Sequence, residues 1–147
     1  MLTKRRIRLV LTVFLGVSAL GILGFLIWAG FPPPVEQPAR LALGSVDASR
    51  LATGTALVFS PPGGISEVGL ILYPGGRVRP EAYAPLAAEL ADQGFLTVVP
   101  RMTLNLAVFE IKAADPVIRA YPEVDSWVIG GHSLGGAMAA EYTAEHA

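Results

Sequence analysis

Two patterns of hydrophobic and polar residues divide the chain. Leu9–Phe31 is a run of 23 residues without a charged side chain, whereas from about Leu41 onward short apolar runs alternate with amphipathic stretches and turn residues. A helix of that length measures about 34 Å, which is enough to cross the hydrocarbon core of a bilayer. The first pattern therefore predicts one transmembrane helix over residues 9–31, and the second predicts a globular domain over residues 41–147.

The flanks of the apolar run indicate its orientation. Four basic residues lie within residues 1–8, and such a flank favours a cytoplasmic N-terminus. A cleaved signal peptide usually has an apolar region of only about 7–15 residues, so the longer run favours an uncleaved signal-anchor. Four prolines between residues 32 and 40 predict a stiff linker. We expect a single-pass protein that contacts the lipid bilayer through residues 9–31 and carries its globular domain outside the cytoplasm; secretion after signal cleavage is the alternative.

The globular part alternates between strand and helix patterns. Short continuous apolar runs are typical of strands buried on both faces, and prolines and glycines mark the ends of the amphipathic helices between them. This alternation implies parallel pairing with right-handed crossovers, and the first two strands could add an antiparallel edge. The predicted strands are Leu41–Val46, Thr55–Ser60, Val68–Tyr73, Phe95–Val99 and Ser126–Gly130, and the predicted helices are Pro80–Gln93, Asp115–Tyr121 and Leu134–Ala147.

Composition narrows the function classes. The formal net charge is −1, which argues against a nucleic-acid binder driven by bulk electrostatics. The chain has no cysteine, which excludes disulfides, thiolate nucleophiles and thiolate-bound metal centres. No spacing of potential ligands indicates a metal site, and no motif calls for a cofactor. No sequence feature indicates an oligomeric state.

A glycine-rich turn directly joins the last predicted strand to the last predicted helix. Its sequence, GHSLGG over Gly131–Gly136, satisfies G-x-S-x-G with a strand before it and a helix after it. In this pattern a sharp, strained turn lifts the serine hydroxyl clear of the sheet, and the helix N-terminus provides N–H groups. Ser133 is therefore the predicted nucleophile, and the amide of Leu134 is predicted to bind a developing oxyanion. Gly131 and Gly135 flank the serine, where a Cβ would collide with the neighbouring strand and helix, and Gly136 is the third predicted elbow glycine.

Other interpretations of this turn fit less well. A dinucleotide-binding loop needs a glycine where His132 stands, and a Walker A loop needs a Gly-Lys-Ser/Thr sequence that is missing. A glycine-rich turn with an incidental serine is the remaining alternative. The complete context of strand, motif and helix favours the nucleophile elbow.

Residues 68–147 resemble the first half of an α/β-hydrolase domain, in particular small esterases and dienelactone-hydrolase-like members. The resemblance implies an α/β fold with a mostly parallel sheet and a serine hydrolase that acts on an ester, thioester or lactone, a small-molecule acyl substrate. It also implies a second oxyanion-hole amide in the loop after Val68–Tyr73, with Gly76 as first choice and Gly75 as second. One departure is Gly130, where many members carry an apolar residue. The residues that carry the resemblance are Leu70–Gly76, Tyr83–Ala87, Phe95–Pro100 and Gly130–Gly136.

The same resemblance implies a triad in the chain order serine, acid, histidine. Only fourteen residues follow Ser133, and His146 lies about 20 Å along the predicted helix. His132 is adjacent in sequence, but the turn points neighbouring side chains apart, so we expect it to line the pocket wall. We therefore expect a hydrolase truncated after the elbow helix, inactive over these 147 residues, with its acid and histidine beyond residue 147. The alternative is a non-catalytic, membrane-tethered binding or scaffold module with a partial hydrolase fold.

Three further residues are candidate substrate contacts. Arg101 and Asn105 follow a predicted parallel strand at its carboxyl end, the edge that faces the ligand crevice in open α/β sheets. Arg77 lies next to the predicted oxyanion loop. For each of them the alternative is a solvated loop residue.

Overall fold

The structure, a computed structural model, describes residues 4–46, 51–52, 54–64 and 66–146. The chain divides into two compact units, residues 1–31 and 32–147. Helix α1, Lys4–Gly30, makes up the described part of the first unit. It is long and apolar enough to cross a membrane, with a mean hydropathy of 2.5 over its most apolar window, and a signal sequence would meet the same criterion. The described helix includes the basic residues Lys4, Arg5, Arg6 and Arg8, and lysine and arginine are good helix formers.

The second unit contains four helices and five strands among the described residues. Short 3₁₀ turns at Pro80–Tyr83, Thr103–Asn105 and Ala107–Phe109 connect some of them. The elements in chain order are α2 Gln37–Ser45, β1 Leu51–Ala52, β2 Ala56–Phe59, β3 Val68–Tyr73, α3 Ala84–Asp92, β4 Leu96–Pro100, α4 Ala114–Ala120, β5 Ser126–Gly131 and α5 Leu134–Glu145.

The strands form one mixed sheet in the order β1-β2-β4-β3-β5. Strand β3 pairs in parallel with both β4 and β5, whereas β2 is antiparallel to β1 and β4. The predicted α/β class and the predicted parallel pairing of the later strands are confirmed. Tyr73 at the end of β3 is in register with Gly131 at the end of β5. This register brings the loop that follows β3 beside the turn that contains Ser133.

Helices cover the two faces of the sheet. On one face the side chains of Ile71, Tyr73 and Val98 pack with residues of α4 and α5. On the other face Leu57, Phe59 and Val99 pack against the alanine-rich side of α3. Tyr73 is fully buried, and this burial raises the pKa of its hydroxyl to about 12. The hydroxyl donates to the Ile111 carbonyl at 2.7 Å and accepts from the Ala114 amide at 2.9 Å. These bonds connect the end of β3 to the start of α4.

The predicted strand Leu41–Val46 is wrong, because this segment belongs to helix α2. Pro38 lies in the first turn of α2, where its fixed φ suits a helix and its missing N–H costs no hydrogen bond. Ala42, Leu43 and Val46 pack against the core on the α3 side of the sheet, with the three- and four-residue spacing of a helix face.

The predicted burial of the last strand on both faces is also wrong. In β5 exposed and half-buried residues alternate at its start, and the side chain of Val128 is 56% exposed. The strand lies at the end of the described sheet with β3 as its partner, and α3 packs against β2 and β4 instead. A continuous apolar sequence therefore does not distinguish a central strand from this edge position.

Candidate active site

Ser133 occupies a strained backbone position between β5 and α5. Its φ is 52° and its ψ is −122°, in a region that residues with a Cβ rarely adopt. The Ser133 carbonyl accepts from the Ala137 amide at 3.1 Å, so helical hydrogen bonding starts at this residue. The side chain makes no capping hydrogen bond to the helix, and the residue is exposed. The turn thus presents the hydroxyl to solvent above the N-terminus of α5.

The glycines of the elbow lie against the backbone at the end of β3. A Cβ on Gly135 would overlap the carbonyl oxygens of Tyr73 and Pro74, and a Cβ on Gly131 would lie 2.7 Å from the Tyr73 oxygen. A Cβ on Gly136 would lie 2.9 Å from the Gly131 oxygen. Only glycine allows α5 to start this close to the sheet.

Two backbone amides in the segments around the elbow have no acceptor in the described part of the chain. Within the described residues, the N–H groups of Leu134 and Gly76 have no hydrogen-bond acceptor. Gly76 lies beside the start of α5, because a Cβ on it would be 3.5 Å from Leu134 Cδ2. The Gly75 amide is different, since it donates to the hydroxyl of Tyr83 at 2.9 Å. Of the two predicted loop donors, Gly76 therefore has the open amide.

The loop that contains Gly76 is a hydrogen-bonded turn. The Val78 amide donates to the Gly75 carbonyl at 3.0 Å, which places Gly76 and Arg77 at the two central positions. Arg77 has a φ of 58°, the sign that the second central residue of a type II turn requires. Its amide donates to the carbonyl of Asn105 at 2.7 Å, so the loop after β4 supports the turn.

Backbone strain is concentrated around this site. Among the described residues other than glycine, four have a positive φ: Arg77, Leu104, Asn105 and Ser133. They lie in the loops that follow β3, β4 and β5, at the carboxyl edge of the parallel strands. Such conformations cost of order 1–3 kcal/mol each and cluster at functional sites. The carboxyl edge of the sheet is therefore the candidate site.

The other predicted contact residues differ in their surroundings. His132 is exposed, and its Nδ1 lies 3.2 Å from the Tyr83 hydroxyl. Arg101 forms an ion pair with Glu81 at 2.7 Å, and its Nε donates to the Gly54 carbonyl at 2.9 Å. The Arg101 guanidinium thus holds neighbouring loops together in this structure.

Two features bear on the chemistry that this edge can support. His146 lies at the opposite end of α5 from Ser133, about 20 Å along the helix axis. Its ring stacks on Tyr142 with a centroid distance of 4.1 Å, and its Nδ1 is 2.7 Å from the Tyr142 carbonyl. In the part of the chain that the structure describes, no group of three or more His, Asp or Glu side chains could hold a metal ion.

Tyr83 is the site residue that sequence reasoning missed. The apolar spacing of Pro80–Gln93 predicts one amphipathic helix, and the tyrosine fits its apolar face. In the structure a 3₁₀ turn ends at Tyr83 and α3 begins at the next residue. No local pattern in the sequence indicates that its hydroxyl reaches the loop after β3.

The sequence profile of the alpha/beta hydrolase family matches residues 69–147, which is more than half of the chain. The chain belongs to the alpha/beta hydrolase family. The matched residues of this alpha/beta hydrolase include β3 from its second residue, the glycine-rich loop after it and the whole elbow.

Similar solved structures include the thermophilic esterase Est2 from the planctomycete Thermogutta terrifontis. Its butyrate-bound form has 18% sequence identity and a TM-score of 0.49. Its native form has 19% identity and a TM-score of 0.46. Each comparison covers 58% of this alpha/beta hydrolase and 37% of the esterase chain, so the chain spans less than two thirds of that esterase. No curated protein matches the chain.

Proposed function

We propose that this protein is a serine hydrolase that acts on a carboxylic ester, thioester or lactone, with Ser133 as its nucleophile. One observation carries the proposal: an exposed serine on a strained turn is followed by the open amide of Leu134, and Gly76, whose amide is also open, lies against the Leu134 side chain. A nucleophile next to preorganised N–H donors is the arrangement that acyl transfer requires. Membership of the alpha/beta hydrolase family supports the same class of reaction.

The proposed reaction has two steps. The Ser133 oxygen attacks the acyl carbon, and the amides of Leu134 and Gly76 bind the oxyanion of the tetrahedral intermediate. Collapse of this intermediate breaks the bond to the leaving alcohol or thiol and leaves an acyl-serine. Water then attacks the acyl-serine, which releases the acid and restores the hydroxyl.

The proposal also requires a general base that reaches Ser133. His146 is at the far end of α5, and His132 Nδ1 faces Tyr83. We therefore propose that the histidine and the acid of the triad lie outside the 147 residues of this sequence. On this account the 147-residue chain alone shows little turnover.

An acyl-enzyme intermediate is expected to produce a burst. Full-length protein here means the 147 residues together with the proposed segment that supplies the histidine and the acid. We expect this protein in detergent micelles to release about one nitrophenolate per protein from 4-nitrophenyl acetate before steady turnover, because acylation precedes a slower hydrolysis. Stopped-flow absorbance measures the burst, and heat-denatured protein provides the blank. The absence of both burst and turnover with oxygen ester, thioester and lactone substrates would contradict the proposal.

A non-catalytic membrane-tethered scaffold is the second candidate. Two observations favour it: His146 lies at the far end of α5, and Nδ1 of His132 faces the Tyr83 hydroxyl. The codons downstream of residue 147 distinguish the two candidates. An in-frame extension with further apolar strands, an Asp or Glu and a late histidine supports the hydrolase, whereas a true stop codon supports the scaffold.

We further propose that α1 anchors the protein, with its basic flank in the cytoplasm and the hydrolase unit outside it. The uncharged stretch of α1 and the positive-inside rule support this orientation. Because the chain has no cysteine, single cysteines report on topology. We expect a membrane-impermeant maleimide to label Glu141→Cys in intact spheroplasts and Lys4→Cys only after lysis. The reverse labelling pattern would contradict the orientation, and release of the labelled protein into the medium would indicate signal cleavage.

A further inference from the structure

The hydroxyl of Tyr83 connects the two halves of the candidate oxyanion hole. It accepts the Gly75 N–H at 2.9 Å and lies 3.2 Å from Nδ1 of His132. Gly75 belongs to the loop after β3, and His132 immediately precedes the nucleophile. One side chain, from the end of the 3₁₀ turn before α3, therefore contacts both segments that would have to bind the oxyanion together.

The distances leave little freedom in this arrangement. A Cβ on Gly75 would lie 2.7 Å from Nδ1 of His132 and 3.3 Å from its carbonyl oxygen, so the loop backbone lies directly against the elbow. The His132 amide donates to the Tyr73 carbonyl at 3.2 Å, which fixes the histidine backbone to the end of β3. The side chains of Tyr83 and His132 are also neighbours, because the centroids of the phenol and imidazole rings are 6.4 Å apart.

The consequence concerns the amide next to Gly75. The Gly76 N–H belongs to the same planar peptide as the Gly75 carbonyl, which accepts from the Val78 amide at 3.0 Å. That bond and the bond of the Gly75 N–H to Tyr83 hold the peptide planes on both sides of Gly75. At the other end of the turn, the Arg77 amide is bound to the Asn105 carbonyl at 2.7 Å. Gly76 is thus held between two bonded amides while its own N–H has no acceptor among the described residues.

We propose that Tyr83 is a positioning residue that holds the loop after β3 on the elbow, so that the Gly76 and Leu134 amides face the same oxyanion. The inference rests on the proposed hydrolase function. Tyr83 does not contact the reacting atoms in this account. Because a hydroxyl can accept one hydrogen bond and take part in another, the Tyr83 oxygen can bind the Gly75 N–H and Nδ1 of His132 at the same time.

The test is Tyr83→Phe in the full-length protein, which removes the hydroxyl and keeps the ring. A misplaced oxyanion donor weakens the transition state more than the bound substrate, so we expect kcat to fall about 10-fold with KM changed less than 2-fold. Tyr121→Phe is the matched control, because Tyr121 is half-buried and its hydroxyl has no bonding partner in the described part of the chain. It should leave both constants unchanged.

A second measurement separates positioning from a general loss of stability. In Tyr83→Phe we expect hydrogen exchange of the bonded amides of Gly75, Arg77 and Val78 to accelerate at least 10-fold and exchange in β4 to stay unchanged. The double variant with His132→Ala should be no slower than either single variant, because all three break the same connection. Accelerated exchange throughout the domain, or independent effects of the two substitutions, would overturn the positioning role.

Comparing Ser133→Ala with Tyr83→Phe distinguishes a failure of the positioning role from a failure of the proposed hydrolase function. If Ser133→Ala abolishes turnover while Tyr83→Phe resembles Tyr121→Phe in kcat and exchange, the positioning role is wrong and the hydrolase proposal stands. If Ser133→Ala leaves turnover intact, the hydrolase proposal itself is wrong, and any effect of Tyr83→Phe then concerns loop structure alone.

Discussion

Replacing Ser133 with alanine is expected to lower kcat/KM for an acyl substrate by about 10³-fold or more in the full-length protein. The substitution removes the attacking oxygen, and the remaining oxyanion amides and binding contacts supply only part of the rate enhancement. The residue is exposed and its side chain makes no hydrogen bond to the helix, so the fold should not depend on the hydroxyl. Alanine also keeps a Cβ at this position, so the strain of the backbone with its positive φ is the same in the variant.

The matched control is Ser126→Ala. Ser126 is exposed at the first position of β5, the strand that ends just before Ser133. We expect this variant to keep wild-type kinetics, and we expect both variants to unfold at the wild-type denaturant concentration. Wild-type activity in Ser133→Ala would exclude the nucleophile, whereas equal losses in both variants would indicate damage to the strand.

Replacing Gly135 with alanine is expected to have the largest effect on stability. The new Cβ would overlap the carbonyl oxygens of Tyr73 and Pro74, both backbone atoms at the end of β3 that cannot rotate away. Helix α5 must therefore shift off the sheet, which we expect to lower the free energy of unfolding by about 3 kcal/mol. A displacement of about 1 Å at the elbow should also reduce kcat about 100-fold.

Gly130→Ala provides the control in the same segment. A Cβ on Gly130 would meet no heavy atom within 4 Å, although Gly130 lies five residues before Gly135. Chemical denaturation of the full-length protein should thus show a large decrease in the free energy of unfolding for Gly135→Ala. The same free energy should change by less than about 0.5 kcal/mol for Gly130→Ala. Similar unfolding curves for the two variants would mean that α5 does not press against β3 as the structure has it.

Local patterns predicted most of the framework around the site. Val68–Tyr73 has the bounds given by the sequence, because a six-residue apolar run followed by Pro-Gly-Gly leaves little choice. The turn between β5 and α5 could also be predicted from a local pattern, because the strand, the G-x-S-x-G motif and the helix are contiguous in the chain. The prolines predict a linker up to residue 40, whereas Pro38 lies in the first turn of helix α2.

Features that depend on distant contacts could not be predicted in this way. Burial of β5 depends on which helices cover it, and the sequence of the strand carries no information on that. The hydroxyl of Tyr83 meets Gly75 eight residues earlier and His132 49 residues later, so its role emerges only after the sheet is assembled. The choice between Gly75 and Gly76 as amide donor likewise follows from that single tertiary hydrogen bond.

The most direct measurement of the central claim is covalent trapping. The full-length protein is incubated with a fluorophosphonate, digested and examined by mass spectrometry for the modified residue. The account predicts one adduct per molecule, on the peptide that contains Gly131–Gly136 and at Ser133 itself, because its hydroxyl is the exposed group beside the Leu134 and Gly76 amides. An adduct on a different serine, with Ser133 unmodified, would contradict the account.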